Sequence, residues 1–553
     1  MKTQILGILF LAFCANLTAQ TDTIYPIDAK QILTVSPNHT SGCEYYMIAP
    51  HDGFNLVDPL FRSALMIFDK NGESLFFKGL PGNSNQFFNF VFDFKLQPNG
   101  QLSFHNQASP NTKHYVLDST LRIVDSVEVQ FPNFSDSHEL LLLPDGSKIV
   151  MGYEYQTMNL DTLFTVDGFQ MSSQTTVEGG VIFIYDSNNN IIFQWSGFDY
   201  FDISDMDYTN LTTIDFVDFM HANSIVLDND GNLIVSLRNF NEVVKINRQD
   251  SSIIWRLGGK HSDFNFVDDT LFGFKLQHHA QLMPNGNITI LDNGTYHNPP
   301  VARAIEYALD ETNGSATLVW EYKNNIESIS IGSQQVLPNG NRLINWGADI
   351  NAFFSPIVEV TDNFEEVLSI NLPPGYFSYR AFCFDLPWEV VRPEITCSYS
   401  GGNTTLTVDS GFAQYYWLHN TDSSSTVTIT DTGSYQVFGH NGYGWIGSKT
   451  IHVTNLTNPC DTTVGINETL ASSVKIYPNP TNGLLNITLP SGTDLTQANI
   501  TITNTLGQMV NEWKGLNDSV LTFNTNDLPS GTYLVQINSN EIHWQGKFMV
   551  LGQ

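Results

Sequence analysis

Two kinds of hairpin alternate between residues 20 and 390, and that alternation restricts the fold more than any other feature of the chain. One kind is an apolar strand, a Pro/Asp-x-Gly turn and a second strand. It occurs at Leu96-Gln97-Pro98-Asn99-Gly100, Leu143-Pro144-Asp145-Gly146, Leu227-Asp228-Asn229-Asp230-Gly231, Met283-Pro284-Asn285-Gly286 and Leu337-Pro338-Asn339-Gly340, with Pro50-His51-Asp52-Gly53 as a poorer first copy. Glycine closes each turn because the position requires a positive φ. The other kind ends its first strand at a polar turn and returns through an aromatic residue: Asp69 with Phe76, Asp186 with Trp195, Asn247 with Trp255 and Asp310 with Trp320, with weaker copies at Asp118 and Asp362. Six of each in alternation predict six four-stranded antiparallel sheets of roughly 62 residues, the unit of a β-propeller. A β-sandwich array, the competing all-β arrangement, does not repeat a motif in this order. A six-bladed β-propeller is therefore expected over 20–390.

Composition excludes several functions. The 553 residues carry 24 Lys+Arg against 56 Asp+Glu, a formal net charge of −32. Such a chain lacks the cations that neutralise nucleic-acid phosphates or dock on anionic lipid. No nucleic acid is expected as a partner. Lys2, the apolar run Ile5 to Ala15 and the small residue Ala19 read as a secretory signal over residues 1–19. A lipoprotein signal around Cys14 is the alternative, with Phe13 too large for the position before it. No later apolar stretch approaches the ~20 residues of a membrane-spanning helix, so no transmembrane segment is expected.

Four further cysteines remain in an exported chain, where they can oxidise. Cys43–Cys383 and Cys397–Cys460 are the favoured pairs, since each brackets one proposed domain; buried free thiols are the alternative. Residues 391–460 hold short alternating strands around Trp417 and read as a small β-sandwich acting as a spacer; they resemble the Ig-like modules of exported bacterial proteins. Residues 461–470 read as a polar linker. Residues 471–553 contain Ile476-Tyr477-Pro478-Asn479-Pro480-Thr481-Asn482-Gly483, Ile502-Thr503-Asn504-Thr505-Leu506-Gly507, Leu528-Pro529-Ser530-Gly531-Thr532-Tyr533 and the terminal Lys547-Phe548-Met549-Val550. This pattern resembles the C-terminal sorting domain of type IX secretion. It implies a small β-sandwich, that secretion machinery as a partner, and release or attachment at the outer cell surface.

The innermost strand of each propeller sheet lines the central channel, so histidines at one phase of those strands converge. His138 lies eight residues before Gly146 and His278 eight before Gly286; His221 lies ten before Gly231, where the turn reads as longer. Clustered imidazoles can act as nucleophile, proton shuttle or anion binder. Around them run His221-Ala222-Asn223-Ser224-Ile225, Leu237-Arg238, Ile254-Trp255-Arg256-Leu257-Gly258-Gly259-Lys260, Gln277-His278, Asp292-Asn293-Gly294 and Ser378-Tyr379-Arg380-Ala381. This ordered set resembles the arylsulfotransferase family, whose members are propellers. The resemblance implies transfer of a sulfuryl group from a phenolic sulfate donor to a phenolic acceptor, without a nucleotide donor and with no cofactor.

Carried over by position, the resemblance makes His278, His221 and His138 the catalytic candidates; His278, which adjoins the Asp292-Asn293-Gly294 strand end, is the expected replacement for a nucleophile missing at the family's own position, with His221 as proton shuttle. Arg238, Asn223 and Arg380 become the substrate-binding candidates. The family's nucleophilic histidine just beyond the last Asn-Gly turn is absent, since the stretch reads Asn345-Trp346-Gly347-Ala348-Asp349. A non-catalytic surface propeller binding an anionic or aromatic ligand is therefore the second reading, and a sulfatase-like hydrolase a minor third. Arg256 and Arg303 read as outer-strand residues with structural partners. No zinc spacing or nucleophile elbow points to other enzyme classes.

Overall fold

Many strands between residues 45 and 384 are apolar on both faces. Ser63–Asp69 reads SALMIFD and Leu233–Leu237 reads LIVSL, and every residue of the two but Asp69 is buried. A strand buried on both faces belongs to a sheet sandwiched between two others. The computed structural model describes residues 33–35, 42–52, 63–80, 91–107, 112–130, 132–324, 326–349, 356–372, 375–409 and 411–457. In the C-terminal part it describes 475–477, 481, 483–489, 499–504, 509–514, 520–526, 528–529, 531–538 and 543–550. The expected signal stretch 1–19 with Cys14, the expected linker 461–470, Gly53 and Cys460 lie outside the described residues.

Six sheets of four or more strands follow one another along residues 33–384. Their inner strands are Val91–Leu96, Phe134–Leu142, Ala222–Leu227, His278–Leu282, Ser333–Val336 and Tyr376–Phe384. Each inner strand packs beside that of the next sheet, and the last packs against the first, so the ring closes. An apolar cluster fills each of the six junctions, such as Ile182 and Trp195 against Val235 and Val244, or Leu343 and Ile357 against Tyr46 and Ala64. Fully burying one such side chain contributes about 1.5–3 kcal/mol, so these seams hold the β-propeller together. We read each sheet as one blade.

Closure is an interlock. Tyr376–Phe384 supplies the inner strand of the first sheet, pairing with Tyr45–Asp52, and Leu33–Val35 adds an outer strand to the last sheet beside Glu366–Ile370. Cys43 and Cys383 form a disulfide at this seam, with Cα atoms 5.8 Å apart. The interlock corrects one sequence expectation. Pro50, His51 and Asp52 lie inside the second strand of the first sheet, opposite Ser378, Phe377 and Tyr376. They close no first-copy turn, because the inner strand arrives from the far end of the chain.

The other five Pro/Asp-x-Gly turns are identical. In each, the glycine N–H donates to the carbonyl three residues earlier: Gly100 to Gln97, Gly146 to Leu143, Gly231 to Asp228, Gly286 to Met283 and Gly340 to Leu337. The Asp228-Asn229-Asp230 turn is thus no longer than the rest. Counting back eight residues, Asn223 is the register equivalent of His138 and His278, and His221 sits two residues earlier, at the strand's entry.

The described chain divides into two compact units. One comprises residues 1–395, 407–427 and 436–450, the other 396–406, 428–435 and 451–553. The stretch 391–460, expected as one Ig-like module, is divided between them. In the first unit Trp445–Gly447 pairs with the first sheet's outer strand, Ser74–Leu80, with Trp445 opposite Phe77, and Val437–His440 and Tyr415–Trp417 continue the sheet. In the second unit, a sheet of Lys475–Tyr477, Leu484–Thr488 and Val520–Asn524 and another of Met509–Lys514, Asn499–Asn504, Gly531–Asn538 and His543–Val550 share a core that includes Leu485, Ile487, Ile500, Ile502 and Val535. No helix among the described residues is long and apolar enough to cross a membrane.

Candidate functional site

The inner strands are irregular where they line the ring. Register breaks fall at Asp93-Phe94, at Asp136 to Glu139, at Asn223, at His279-Ala280 and at Tyr379-Arg380. A bulge inserts a residue, kinks the strand and re-aims side chains. Asp93, His221 and His279 accordingly hold positive φ values of 54°, 48° and 51°. In this way five strands turn polar groups inward from backbones whose other residues build apolar seams.

His138 and His221 meet with ring centroids 4.9 Å apart, and His221 and His278 with centroids 6.0 Å apart. Two of the three imidazoles have a carboxylate of their own. His138 Nδ1 lies 2.5 Å from Asp136 Oδ1, and His221 Nδ1 lies 2.5 Å from Asp218 Oδ2. A carboxylate only accepts, so each Nδ1 carries the proton and each Nε2 keeps its lone pair free for chemistry. Burial alone would lift both carboxyls. The His138 imidazole holds Asp136 below the usual carboxylate range, and His221 with Arg238 does the same for Asp218. Burial pushes His221 down, with Asp218 pulling the other way. Its side chain is a quarter exposed, against a tenth for His138 and 1% for His278.

His278 is held differently. Asn293 Nδ2 donates to Ser328 Oγ at 2.5 Å and to the Ile331 carbonyl at 3.0 Å, which fixes its amide oxygen as an acceptor for His278 Nδ1–H at 2.7 Å. The Ile331 N–H then donates to His278 Nε2 at 3.2 Å. Both ring nitrogens are thereby occupied, and burial, with the Arg238 charge next, pushes this histidine well below its ordinary value. Arg238 follows Leu233–Leu237, the second strand after His221; its guanidinium donates to Asn239 Oδ1 and to the Ile329 carbonyl, while its Nε has no hydrogen-bond partner.

The remaining predicted residues lie elsewhere in the ring. Asn223 is buried and donates to the Gln277 carbonyl at 2.8 Å. Arg380 is buried in ion pairs with Asp93 at 2.6 Å and Glu139 at 2.9 Å, and Lys95 completes this network. Arg256 forms a two-pronged pair with Glu242, and Arg303 is held by Asp269, Asp292 and Glu321. Among the described residues no group of three or more His, Cys, Asp or Glu side chains is placed to hold a metal ion.

Residues 80–362, just over half of the chain, match the family model described as Arylsulfotransferase (ASST). The chain belongs to the arylsulfotransferase family. Residues 475–551 match a secretion system C-terminal sorting domain, which makes this family member a type IX cargo exported to the outer cell surface or beyond. No curated protein matches it. Among solved structures it is similar to a protein of unknown function from Bacteroides caccae (13% identity, TM-score 0.37, covering 61% of this chain and 98% of that one). It is also similar to a periplasmic gluconolactonase of Pseudomonas aeruginosa (12%, 0.33, 62% and 99%). A third is a catalytically inactive virginiamycin B lyase from Staphylococcus aureus with quinupristin (11%, 0.29, 59% and 94%).

Within this arylsulfotransferase-family propeller, His138, His221, His278 and Arg238 come together, whereas Arg380 is taken up by its ion pairs. Sequence reasoning missed Asp136 and Asp218. Their signal was present as an Asp two residues before His138 and three before His221, a spacing from which a carboxylate reaches back to an imidazole when the backbone bulges.

Proposed function

We propose that the protein is a secreted aryl-sulfate sulfotransferase in which His221 takes the sulfuryl group and His138 handles the proton. The observation that supports this most is the pair of imidazoles 4.9 Å apart, each oriented by its own carboxylate. The lone pair of His221 Nε2 attacks the sulfur of the donor ester. The sulfur–oxygen bond breaks, and the departing phenolate takes a proton from protonated His138. Arg238 stabilises the charge on the sulfuryl oxygens. An acceptor phenol then attacks the same sulfur, the sulfur–nitrogen bond breaks, and His221 regains its lone pair. His278, with both nitrogens occupied, fixes the Ile329–Ile331 loop on which Arg238 rests.

The test is incubation with a chromogenic phenyl sulfate, with and without an acceptor phenol. Wild type should release the chromophore and sulfate the acceptor, and His221→Ala should do neither. Full activity in that variant would sink the assignment. A non-catalytic propeller binding an anionic or aromatic ligand is the second reading, favoured by the histidine-free inner strand Ser333–Val336 and the absent last-sheet nucleophile. It predicts saturable binding without turnover.

A further inference from the structure

Two strands of the third sheet run to 11 residues each, and one face of their far half carries exposed side chains. Lys148–Met158 and Thr175–Tyr185 pair over their whole length, Tyr155 standing opposite Glu178 and Tyr153 opposite Gly180. Phe134 stands opposite Tyr153 on one side. On the other, Phe216–Asp218 runs parallel, with Phe216 beside Thr176 and Asp218 beside Glu178. Val177 and Val217 point the other way and are buried in an apolar cluster. Side chains of a strand alternate between faces, so Phe134, Tyr153, Tyr155, Glu178, Phe216 and Asp218 share the opposite face. Phe134, Tyr155 and Phe216 are 50%, 44% and 41% exposed, and the Phe134 and Tyr155 rings meet edge to face at 5.7 Å.

This face runs directly into the histidine pair. Asp218 holds His221, and the Tyr153 hydroxyl lies 3.5 Å from His138 Nδ1. Its polar groups are the carboxylates Asp136, Asp218 and Glu178, whereas the cation of the site, Arg238, belongs to the neighbouring sheet. A row of carboxylates repels a sulfate ester and accepts a hydrogen bond from a neutral hydroxyl. Exposed rings offer a flat aromatic group a surface to stack on. Donor and acceptor are thereby sorted by charge.

We propose that this sheet face is the acceptor site, that its occupant is a neutral phenol lying against Tyr155 and Phe134, and that Glu178 is the base that receives the acceptor's proton. The proposal rests on the sulfuryl-transfer reading and names the acceptor half of the same site. The phenol O–H gives its proton to the Glu178 carboxylate as its oxygen bonds to the sulfur on His221. The sulfur–nitrogen bond breaks, its electron pair returns to the imidazole, and the proton passes through solvent to His138, which needs it for the next donor. Glu178 receives a hydrogen bond from the Tyr155 hydroxyl at 2.6 Å. Burial lifts it, the Tyr155 hydrogen bond pulls it back, and Asp218 and Asp136 lift it again, to about 7. A base works best when its pKa lies near the working pH.

The experiment uses the full chain and two readouts. The first is binding of phenol itself by calorimetry without a donor, in wild type and in Tyr155→Ala and Phe134→Ala. The second is the ratio of the steady-state rate of acceptor sulfation to the first-turnover rate of chromophore release from a phenyl sulfate, in wild type and Glu178→Gln. We expect saturable binding weakened roughly ten-fold by either ring truncation, and a ratio lowered roughly 10²–10⁴-fold by Glu178→Gln. Glu178→Gln keeps an acceptor for Tyr155, so its effect reads the base and not the fold. Binding that the truncations leave unchanged, or a ratio that Glu178→Gln leaves unchanged, overturns the proposal while the sulfuryl-transfer reading stands. Saturable phenol binding without chromophore release in wild type keeps the platform and overturns both the base and the transfer reading.

Discussion

At the scale of single residues, the site is organised by what each imidazole nitrogen touches. His221 and His138 each have one nitrogen tied to a carboxylate and one free, and His278 has neither free. Replacing Asp218 with Asn should therefore lower transfer from a phenyl sulfate by roughly 10²–10⁴-fold with the fold intact; a rate near wild type would show that His221 needs no orienting carboxylate. Buried neutral histidines also set the acid limit. Burial pushes His105, His278 and His279 well below 6.5 and His114 to about 4. Below pH 6.5 the unfolded chain takes up protons that the folded chain refuses, so stability falls as pH falls, by about 1.4 kcal/mol per pH unit for each such group until its folded pKa is reached. The melting temperature should drop steadily from pH 6.5 to 4. A flat profile there would mean these rings are protonated in the folded protein. The sequence displayed the histidines but could not show which had a free lone pair, because Asn293, Ile331, Asp136 and Asp218 reach them through bulges and loops.

At the scale of elements, the turns were legible and the strand ends were not. Five glycine-closed turns stand where local chemistry puts them, since a turn is decided by four adjacent residues. His221 was misaligned because its phase was counted through a turn believed longer, and the added strand Trp445–Gly447 was hidden because its partner Ser74–Leu80 lies more than three hundred residues away. An unpaired outer edge invites other chains, and covering it removes that hazard. The last sheet supplies an element-level test. Gly332 precedes its inner strand with φ at 105°, and a Cβ there would come within 2.6 Å of the Asn345 carbonyl oxygen. Gly332→Ala should cost about 1–3 kcal/mol by denaturant titration. A loss below a few tenths would show that the Ile331–Ser333 segment shifts freely.

At the scale of the whole molecule, six apolar seams and one interlock make the ring, and a separate terminal signal directs it. Cys43 and Cys383 are 340 positions apart in sequence, a long loop whose cross-link restrains the unfolded chain. Cys43→Ser should lower stability by about 2–5 kcal/mol, read as a lower melting temperature without reductant; equal melting would show that strand pairing alone closes the ring. Removing residues 475–551 should leave a folded propeller confined to the periplasm by cell fractionation, and arrival of the shortened chain at the surface would overturn their sorting role.

The interlock also fixes an order of events in time. Residues 45–80 lay down three strands of the first sheet, yet its inner strand ends at Phe384. A chain made from its N-terminus carries that bare, apolar edge through the synthesis of five further sheets. Pairings this distant in sequence form slowly, and an unpaired edge is a template for aggregation while it waits. Ring closure accordingly waits for residue 384, and a holding chaperone should protect the chain most up to the moment that residue becomes free to pair.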